Sequence, residues 1–437
     1  MNPLLLALLA GPAFAQDPAA PADPAPSLPP PAVEAQVADA PVDPAALEAR
    51  VEELEQQLAD LALAIELSTQ AAPPPAPAAT RGGGGGQSMN PDISLIADVA
   101  AAYFTADEPL QTGGHDPTVN GFNLQQLEMS VKSTVDPYFE LDANIVFSLF
   151  GVEVEEAYAT TLGLPLKSQL RIGQMLTRFG RLNNSHPHGW DFVDQPFVLG
   201  RVMGGESNRG LGVEASTLLP LPWYVELVAS ETMAAGESSA RSFYGPEDLG
   251  VAGLGDLQTT VALKQFFPMS DDWSLFWGLS WAGGPNPTGR SNRSELYGSD
   301  LYLKWRPISR ASNGYVALQA EGIHRRRQIP DDVLVDWNAY EQLTWRMARR
   351  WALAGRHEIG TAATTIDGEL AGELDSLDPE WISTRQRFSA ATTFWPTEFS
   401  RLRLQGATDL VGWREEPDWS VFLAFEFSVG AHGAHAF

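Results

Sequence analysis

The sequence has no cysteine among its 437 residues, which excludes disulfide bonds and thiolate metal ligands. Lysine is scarce as well, since four lysines accompany 24 arginines. The formal net charge is −27, whereas proteins that bind nucleic acid need a basic face. The composition therefore argues against a general nucleic-acid binder, and it makes arginine the main source of positive charge.

Long apolar runs are also missing. Residues 4–13 form a short apolar segment that leads into Ala13-Phe14-Ala15, a pattern typical of a secretory signal peptide cut before Gln16. No run of about 18 apolar residues follows, which is the length that a membrane-spanning helix needs. The sequence therefore predicts an exported chain with a signal peptide at residues 1–15 and no transmembrane helix.

Three segments of distinct composition follow. Residues 16–44 are rich in Ala and Pro and predict a disordered tether, and residues 71–90 form a Pro/Gly-rich linker. Between them, residues 45–70 carry apolar side chains at spacings of four and three, the heptad pattern of a coiled coil. The alternative is a single amphipathic helix that lies on the body of the protein. The predicted coiled-coil core consists of Leu47, Val51, Leu54, Leu58, Leu61 and Ile65.

From residue 91 onward, apolar residues recur at every second position, which indicates β-strands. The final stretch shows this most clearly, with six large apolar residues in phase from Trp419 to Val429. The pattern predicts sixteen strands that begin near residues 92, 121, 138, 152, 166, 210, 222, 256, 273, 297, 313, 334, 350, 386, 398 and 419.

The predicted connections alternate between short turns and mostly long, polar loops. The long loops are expected at residues 104–120, 177–209, 233–255, 283–296 and 360–385. Apolar strand faces end in Trp and Tyr, and opposite faces carry charge, as in a transmembrane β-barrel. An aqueous sandwich is the alternative. We therefore expect an all-β fold, an antiparallel transmembrane barrel of about 16 strands over residues 91–437, preceded by a periplasmic coiled-coil helix.

Four stretches resemble the phosphate-selective-porin-like family of outer-membrane proteins. They are EEAYATTLGLP (155–165), LRIGQMLTRFGRLNNSHPHGWDFVDQP (170–196), RGLGVEASTLLPLPWYVEL (209–227) and WPTEFSRLRLQ (395–405). The resemblance implies a sixteen-stranded barrel, a homotrimer and passage of small solutes through the outer membrane of a Gram-negative-type bacterium. No phosphate site is carried over, because the family's basic residues find no matching positions.

The chain ends on Phe437, in phase with the lipid-facing residues of the last strand. It resembles the C-terminal signal that outer-membrane barrels present to their assembly machinery. Residues 430–436 interrupt the apolar run before it.

The third long loop, near residues 177–209, is expected to fold inward and narrow the lumen, where rings of charge set ion selectivity. In the alternative, the arginines of this loop only attach it to Asp191, Asp194 and the wall. The candidate constriction residues are Arg178, Arg181, Arg201, Arg209, Asp191 and Asp194. Strand phase places further candidates on the pore wall: Arg171, Lys304, Arg306, Arg387, Arg401 and Arg403.

No motif in the sequence points to an enzyme or a cofactor. His186 and His188 flank a proline with no third ligand at a suitable spacing, so they are expected to be structural rather than metal-binding. The predicted function is a porin for passive diffusion of small solutes, with a lean towards anions. The alternative is an envelope tether, in which the barrel anchors a coiled coil that binds a periplasmic or cell-wall partner.

Overall fold

The computed structural model describes residues 91–149, 151–234, 240–243, 251–307 and 314–430. The predicted signal peptide, tether, coiled coil and linker, and also Phe437, lie outside the described residues. Of the helices that the described residues form, none is both long and apolar enough to cross a membrane.

Strands dominate the described part of the chain, with one α-helix, α1 (Phe197–Met203). The strands are β1 (Asp92–Phe104), β2 (Gly121–Thr134), β3 (Phe139–Phe147), β4 (Val152–Thr161), β5 (Ser168–Leu176), β6 (Arg209–Leu218), β7 (Tyr224–Met233), β8 (Leu257–Pro268), β9 (Trp273–Asn286), β10 (Gly289–Trp305), β11 (Tyr315–Ile329), β12 (Asp332–Ala348), β13 (Trp351–Gly360), β14 (Thr364–Thr365), β15 (Arg385–Thr397), β16 (Ser400–Val411) and β17 (Asp418–Gly430).

The sheet closes on itself. Neighbouring strands pair antiparallel in chain order, and β1 pairs with β17 from Ser94 opposite Gly430 to Phe104 opposite Ser420. The two-residue strand β14 pairs with β12 inside a loop, and β13 pairs directly with β15. Sixteen long strands therefore form a closed barrel, which confirms the predicted antiparallel barrel and its strand number and rules out the sandwich.

Fifteen of the sixteen predicted strand starts lie within two residues of the observed ones. The exception is β10, which begins at Gly289 instead of 297, so the loop expected at 283–296 is wrong. Residues 273–286 and 289–305 form one long hairpin with a two-residue connection. This stretch is polar and lacks the apolar alternation of the other strands, but backbone pairing continues the hairpin beyond the apolar part of the wall.

The strands alternate between an exposed outer face and a buried inner face. In β17, Trp419, Leu423 and Phe425 are exposed, whereas Phe422 and Ala424 are buried. Exposed aromatic side chains also lie near strand ends, as Tyr103, Trp223, Trp273, Trp345 and Trp351 do. An outer face that is apolar and ends in aromatic residues matches a wall built for hydrocarbon between two polar interfaces.

This register predicts opposite responses from two adjacent residues of β10. Leu303 lies opposite Leu275 and Leu318, in phase with the exposed Tyr297, whereas Lys304 is in phase with the buried Asp300. We expect Leu303→Arg to lower the free energy of unfolding in lipid by roughly 2–4 kcal/mol. Lys304→Ser should change it far less. Reversible guanidinium titration in bilayers measures both, and equal losses would contradict the register.

Candidate pore constriction

The segment that joins β5 to β6, residues 177–208, lies inside the barrel and is called loop L3. The Gly180 amide donates to Ser280 Oγ of β9 at 3.0 Å. The Val193 amide donates to Gln405 Oε1 of β16 at 2.7 Å, and the Phe197 amide donates to Glu358 Oε2 of β13 at 2.5 Å. These strands lie at separate places around the wall, so L3 crosses the lumen.

An apolar cluster explains why L3 enters the barrel. Phe179, Phe197 and Val202 are almost fully buried and pack with Leu296 and Ile323 of the wall. The helix α1 follows Pro196, and its residues from Phe197 to Met203 are all buried. Burial of each large apolar side chain contributes about 1.5–3 kcal/mol. Loop L3 is therefore a folded element with its own core.

Helix α1 also needs a glycine at residue 200. The loop between β1 and β2, residues 105–120, is called L1, and it passes close to α1. A Cβ atom at Gly200 would lie 2.3 Å from Thr112 Oγ1 and 2.8 Å from the Thr112 carbonyl oxygen of L1. A side chain here would separate L1 from L3, so this glycine permits the close approach of the two loops.

Wall arginines hold the carboxylate of Asp194 in L3. Arg356 Nη2 lies 2.6 Å from Asp194 Oδ1, Arg387 Nη2 lies 2.7 Å from Oδ2, and Gln405 donates to Oδ1 at 2.8 Å. Burial alone raises the pKa of this carboxyl, but Arg356 and Arg387 outweigh it and hold the pKa well below its usual range. Asp194 is therefore charged and fixes L3 to β13, β15 and β16.

Two further wall arginines bind the backbone of L3. Arg401 donates to the carbonyl oxygens of His188 and Trp190, both at 2.9 Å, and Arg403 donates to the Phe192 carbonyl oxygen at 2.6 Å. Both guanidinium groups also pair with Glu426 of β17. The arginines of β16 thus bind the backbone of L3 from the wall.

A second charged network binds α1 to the loop of residues 361–384. Arg201 of α1 and Arg325 of β11 both contact Asp378 Oδ2, at 3.1 and 2.9 Å. Arg325 also reaches Asp336 at 2.9 Å. Burial lowers the pKa of Arg201 to about 10, which leaves it charged at neutral pH. Because these ions are almost fully buried, removing one partner would leave an uncompensated charge.

The six predicted constriction residues divide into two groups. Arg201, Arg209 and Asp194 are fully buried in ion pairs. Arg178, Arg181 and Asp191 are half-buried, and Arg181 lines a cavity. Asp191 accepts from Thr344 Oγ1 at 2.7 Å and Gln342 Nε2 at 3.3 Å.

In the contacts described for them, Arg178 and Arg181 reach the wall rather than Asp191 or Asp194, so the attachment that the sequence offered as an alternative runs through the wall. Arg178 pairs instead with Glu214 at 2.9 Å and Glu226 at 2.7 Å, both on the wall. Arg181 donates to Gln319 Oε1 at 3.3 Å and stacks on the ring of Tyr302 at 3.9 Å. L3 is therefore attached to the wall in two ways. Arg178 of the loop pairs with glutamates of the wall, and Asp194 of the loop pairs with arginines of the wall.

The predicted wall residues also separate by environment. Arg171 and Lys304 are half-buried on the inner face, whereas Arg387, Arg401 and Arg403 are covered by L3. Arg306 lies just after the end of β10 and is exposed, and it lines a cavity together with Arg181 and Lys304. Its amide donates to the Asp272 carbonyl oxygen at the short-turn end.

One cavity of about 370 Å³ opens beneath L3 on the short-turn side of the barrel. Arg181, Lys304 and Arg306 line it together with Asp271 and Asp272. Its basic residues have access to open space, whereas L3 covers Arg387, Arg401 and Arg403.

His186 and His188 have more polar neighbours than their sequence suggests. His186 lies 3.1 Å from Glu155 Oε2 and 3.0 Å from Glu156 Oε2, and His188 lies 3.0 Å from Glu128 Oε2. Spacing along the chain missed these partners because the glutamates come from β2 and β4. The signal available in the sequence was the inward phase of Glu128 and the adjacent pair Glu155-Glu156.

The barrel is similar in fold to several solved outer-membrane channels. The outer-membrane channel DcaP of Acinetobacter baumannii matches 78% of this chain and 97% of its own, at 11% identity and a TM-score of 0.53. OprB of Pseudomonas putida matches 78% of this chain and 94% of its own, at 11% identity and a TM-score of 0.52. An anion-selective porin from Comamonas acidovorans matches 78% of this chain and 99% of its own, at 7% identity and a TM-score of 0.51. These likenesses show that the fold is that of outer-membrane porins.

Sequence comparison adds one relative. No family model matches the chain. An uncharacterized protein of Aquifex aeolicus is 32% identical over 387 residues, which cover 79% of this chain and 80% of that protein. Identity at this level across most of both chains shows common descent, and the chain belongs to the same protein family as this Aquifex aeolicus protein.

Proposed function

We propose that the protein is an outer-membrane porin, a water-filled channel for passive diffusion of small solutes. The observation that carries the proposal is loop L3, which crosses the lumen and leaves Arg181 half-buried beside an open cavity. The apolar, aromatic-bordered outer face supports placement in the outer membrane of a Gram-negative-type bacterium. A constriction of fixed charges selects ions by field as well as by size.

A weak preference for anions is part of this proposal. Arg178 is balanced by Glu214 and Glu226, whereas Arg181 contacts an amide oxygen and an aromatic ring. The cavity at Arg181 carries three basic and two acidic side chains. Its surplus positive charge raises the local concentration of anions.

Planar bilayers test the channel itself. Purified full-length protein should give discrete conductance steps in KCl, with a reversal potential of anionic sign in a salt gradient. A correctly folded barrel that inserts and shows no steps would overturn the porin proposal. The alternative function, an envelope tether in which the barrel serves only as an anchor, would then be favoured.

The amino-terminal segments complete the proposal. Residues 1–15 direct export, the coiled coil at 45–70 lies in the periplasm and supports a homotrimer, and Phe437 engages the barrel assembly machinery. Because three heptads are marginal alone, the coiled coil depends on the high effective concentration that an assembled barrel trimer provides.

The coiled coil gives a direct test of the trimer. Replacing Leu54 and Leu58 with aspartate puts charge in the core positions d and a, so we expect a lower trimer dissociation temperature with folded barrels. The control Q56D/A59D places the same charges at outward heptad positions and should behave as wild type. Native gels with crosslinking measure the outcome, and unchanged dissociation in L54D/L58D would contradict the assignment.

A further inference from the structure

Three histidines and three glutamates gather at one side of the lumen, where L1 and L3 cover the inner faces of β2 and β4. This group, the His/Glu cluster, consists of His115, His186, His188, Glu128, Glu155 and Glu156. It lies apart from the cavity at Arg181, and the proposed channel function makes no use of it.

A β-bulge in β4 supplies two of the carboxylates. Asn144 of β3 pairs with Glu156 and the next residue, Ile145, pairs with Val154, so Glu155 is the extra residue. A bulge interrupts the alternation of side chains between the two faces. As a result Glu155 and Glu156 are both buried although they are adjacent in sequence.

The centre of the cluster is His186. Its Nδ1 lies 3.1 Å from Glu155 Oε2 and 3.9 Å from Glu128 Oε2. One atom of each residue forms a set whose members all lie within 4.8 Å of one another. A tetrahedral zinc ion with bonds of about 2.0–2.2 Å separates its ligand atoms by about 3.3–3.6 Å. The three groups are therefore close to the spacing that one ion requires.

The burial and the donor atoms of the cluster fit a bound cation. The side chains of Glu128 and Glu155 are 1% and 8% exposed. Among the described residues, the salt-bridge partners of these two carboxylates are all histidines, and imidazole and carboxylate groups are both ligands of divalent transition metals. Buried carboxylates are costly unless they are paired or coordinate a metal, and a divalent ion would balance both.

We propose that His186, Glu128 and Glu155 bind a divalent transition-metal ion, with zinc as the reference ion. One imidazole and two carboxylates suit zinc, cobalt or manganese, whereas Mg²⁺ and Ca²⁺ prefer oxygen ligands alone. His188 contacts Glu128, and His115 contacts Glu155 at 3.0 Å. These outer contacts orient the ligands, as carboxylate–histidine pairs do around known metals. The ion would tie L3 to β2 and β4.

Binding by the intact protein is the first test. The full-length chain, purified in detergent and stripped with EDTA, should bind one Zn²⁺ per chain in isothermal titration calorimetry, and millimolar Mg²⁺ should not compete. X-ray absorption of the zinc-loaded protein should show a shell of nitrogen and oxygen that includes one imidazole. Absence of zinc binding, or a shell without imidazole, would overturn the proposal. This test uses the wild-type chain, so it does not depend on whether variants fold.

Variants then locate the site. His186→Gln and Glu128→Gln should each weaken zinc binding by about 100-fold or more, since changes in outer contacts alone cost 10–100-fold. His357→Gln is the matched control, because His357 lies on β13 next to Glu341 at 3.6 Å, out of phase with the buried Glu358 that contacts L3. The variant H432Q/H435Q removes the other closely spaced histidine pair of the sequence. Both controls should bind as wild type, and zinc binding lost only in H432Q/H435Q would contradict the assignment.

Discussion

Asp194→Asn is expected to release loop L3 from the wall while the barrel stays closed. The substitution keeps the shape of the side chain but removes the charge that Arg356 and Arg387 contact at 2.6 and 2.7 Å. Breaking a buried ion pair by removing one partner costs about 3–5 kcal/mol. The strand ladder does not depend on this contact, so the loss should appear as local opening of L3.

Limited proteolysis and single-channel recording measure this opening. In D194N we expect cleavage within residues 177–208 and a larger, noisier conductance than in wild type. Asp191→Asn is the matched control, because Asp191 is half-buried and accepts only from Thr344 and Gln342 among the contacts described for it. Equal protection of L3 in D194N, D191N and wild type would show that Asp194 does not hold the loop.

Acid should reproduce the effect of D194N in the wild-type protein. The pKa of Asp194 is depressed in the folded state, because two arginines outweigh its burial. The stability that this carboxylate contributes is therefore fully present above its ordinary pKa of about 3.9 and declines as the pH falls below that value. L3 in D194N should lose this dependence, which proteolysis with an acid-active protease would reveal.

The sequence predicts the barrel well because each strand carries its own signal. In β17, every second residue from Trp419 to Val429 is apolar, and this local period fixes which face is exposed. Residues 283–296 fail as a predicted loop for the converse reason. Polar strands that extend beyond the apolar part of the wall keep their backbone hydrogen bonds but lack the alternation of apolar and polar residues from which a strand is predicted.

The interior of the barrel is much less predictable from sequence. Asp194 and Arg356 are 162 residues apart, and no local pattern brings them together. The pattern places Arg387, Arg401 and Arg403 inward, but only the folded loop shows that L3 covers them. The His/Glu cluster likewise depends on a bulge that moves Glu155 out of phase. Inward phase is thus a local property, whereas exposure to the lumen depends on how L3 folds.

Arg181→Glu is expected to produce the largest change in ion selectivity. Arg181 borders the cavity of about 370 Å³ beneath L3, so its charge acts on ions that pass through that space. A unit charge about 6 Å away contributes about 0.7 kcal/mol in water. Reversing the charge changes the local energy of an anion by about 1.4 kcal/mol, which lowers the anion concentration by up to about tenfold.

Reversal potentials in a KCl gradient measure this change. They should shift towards cations in R181E and by about half as much in Arg181→Gln, and the shift should shrink from 0.1 M to 1 M salt, where the screening length falls from about 10 Å to 3 Å. Arg326→Glu is the control, because Arg326 pairs with Glu295 at 2.8 Å and is out of phase with the buried Arg325 and Arg327. Since its charge is separated from the lumen by the wall, R326E should leave the reversal potential unchanged. Equal shifts in R181E and R326E would mean that selectivity follows the overall charge of the barrel, and Arg181 would then have no special place in the ion path.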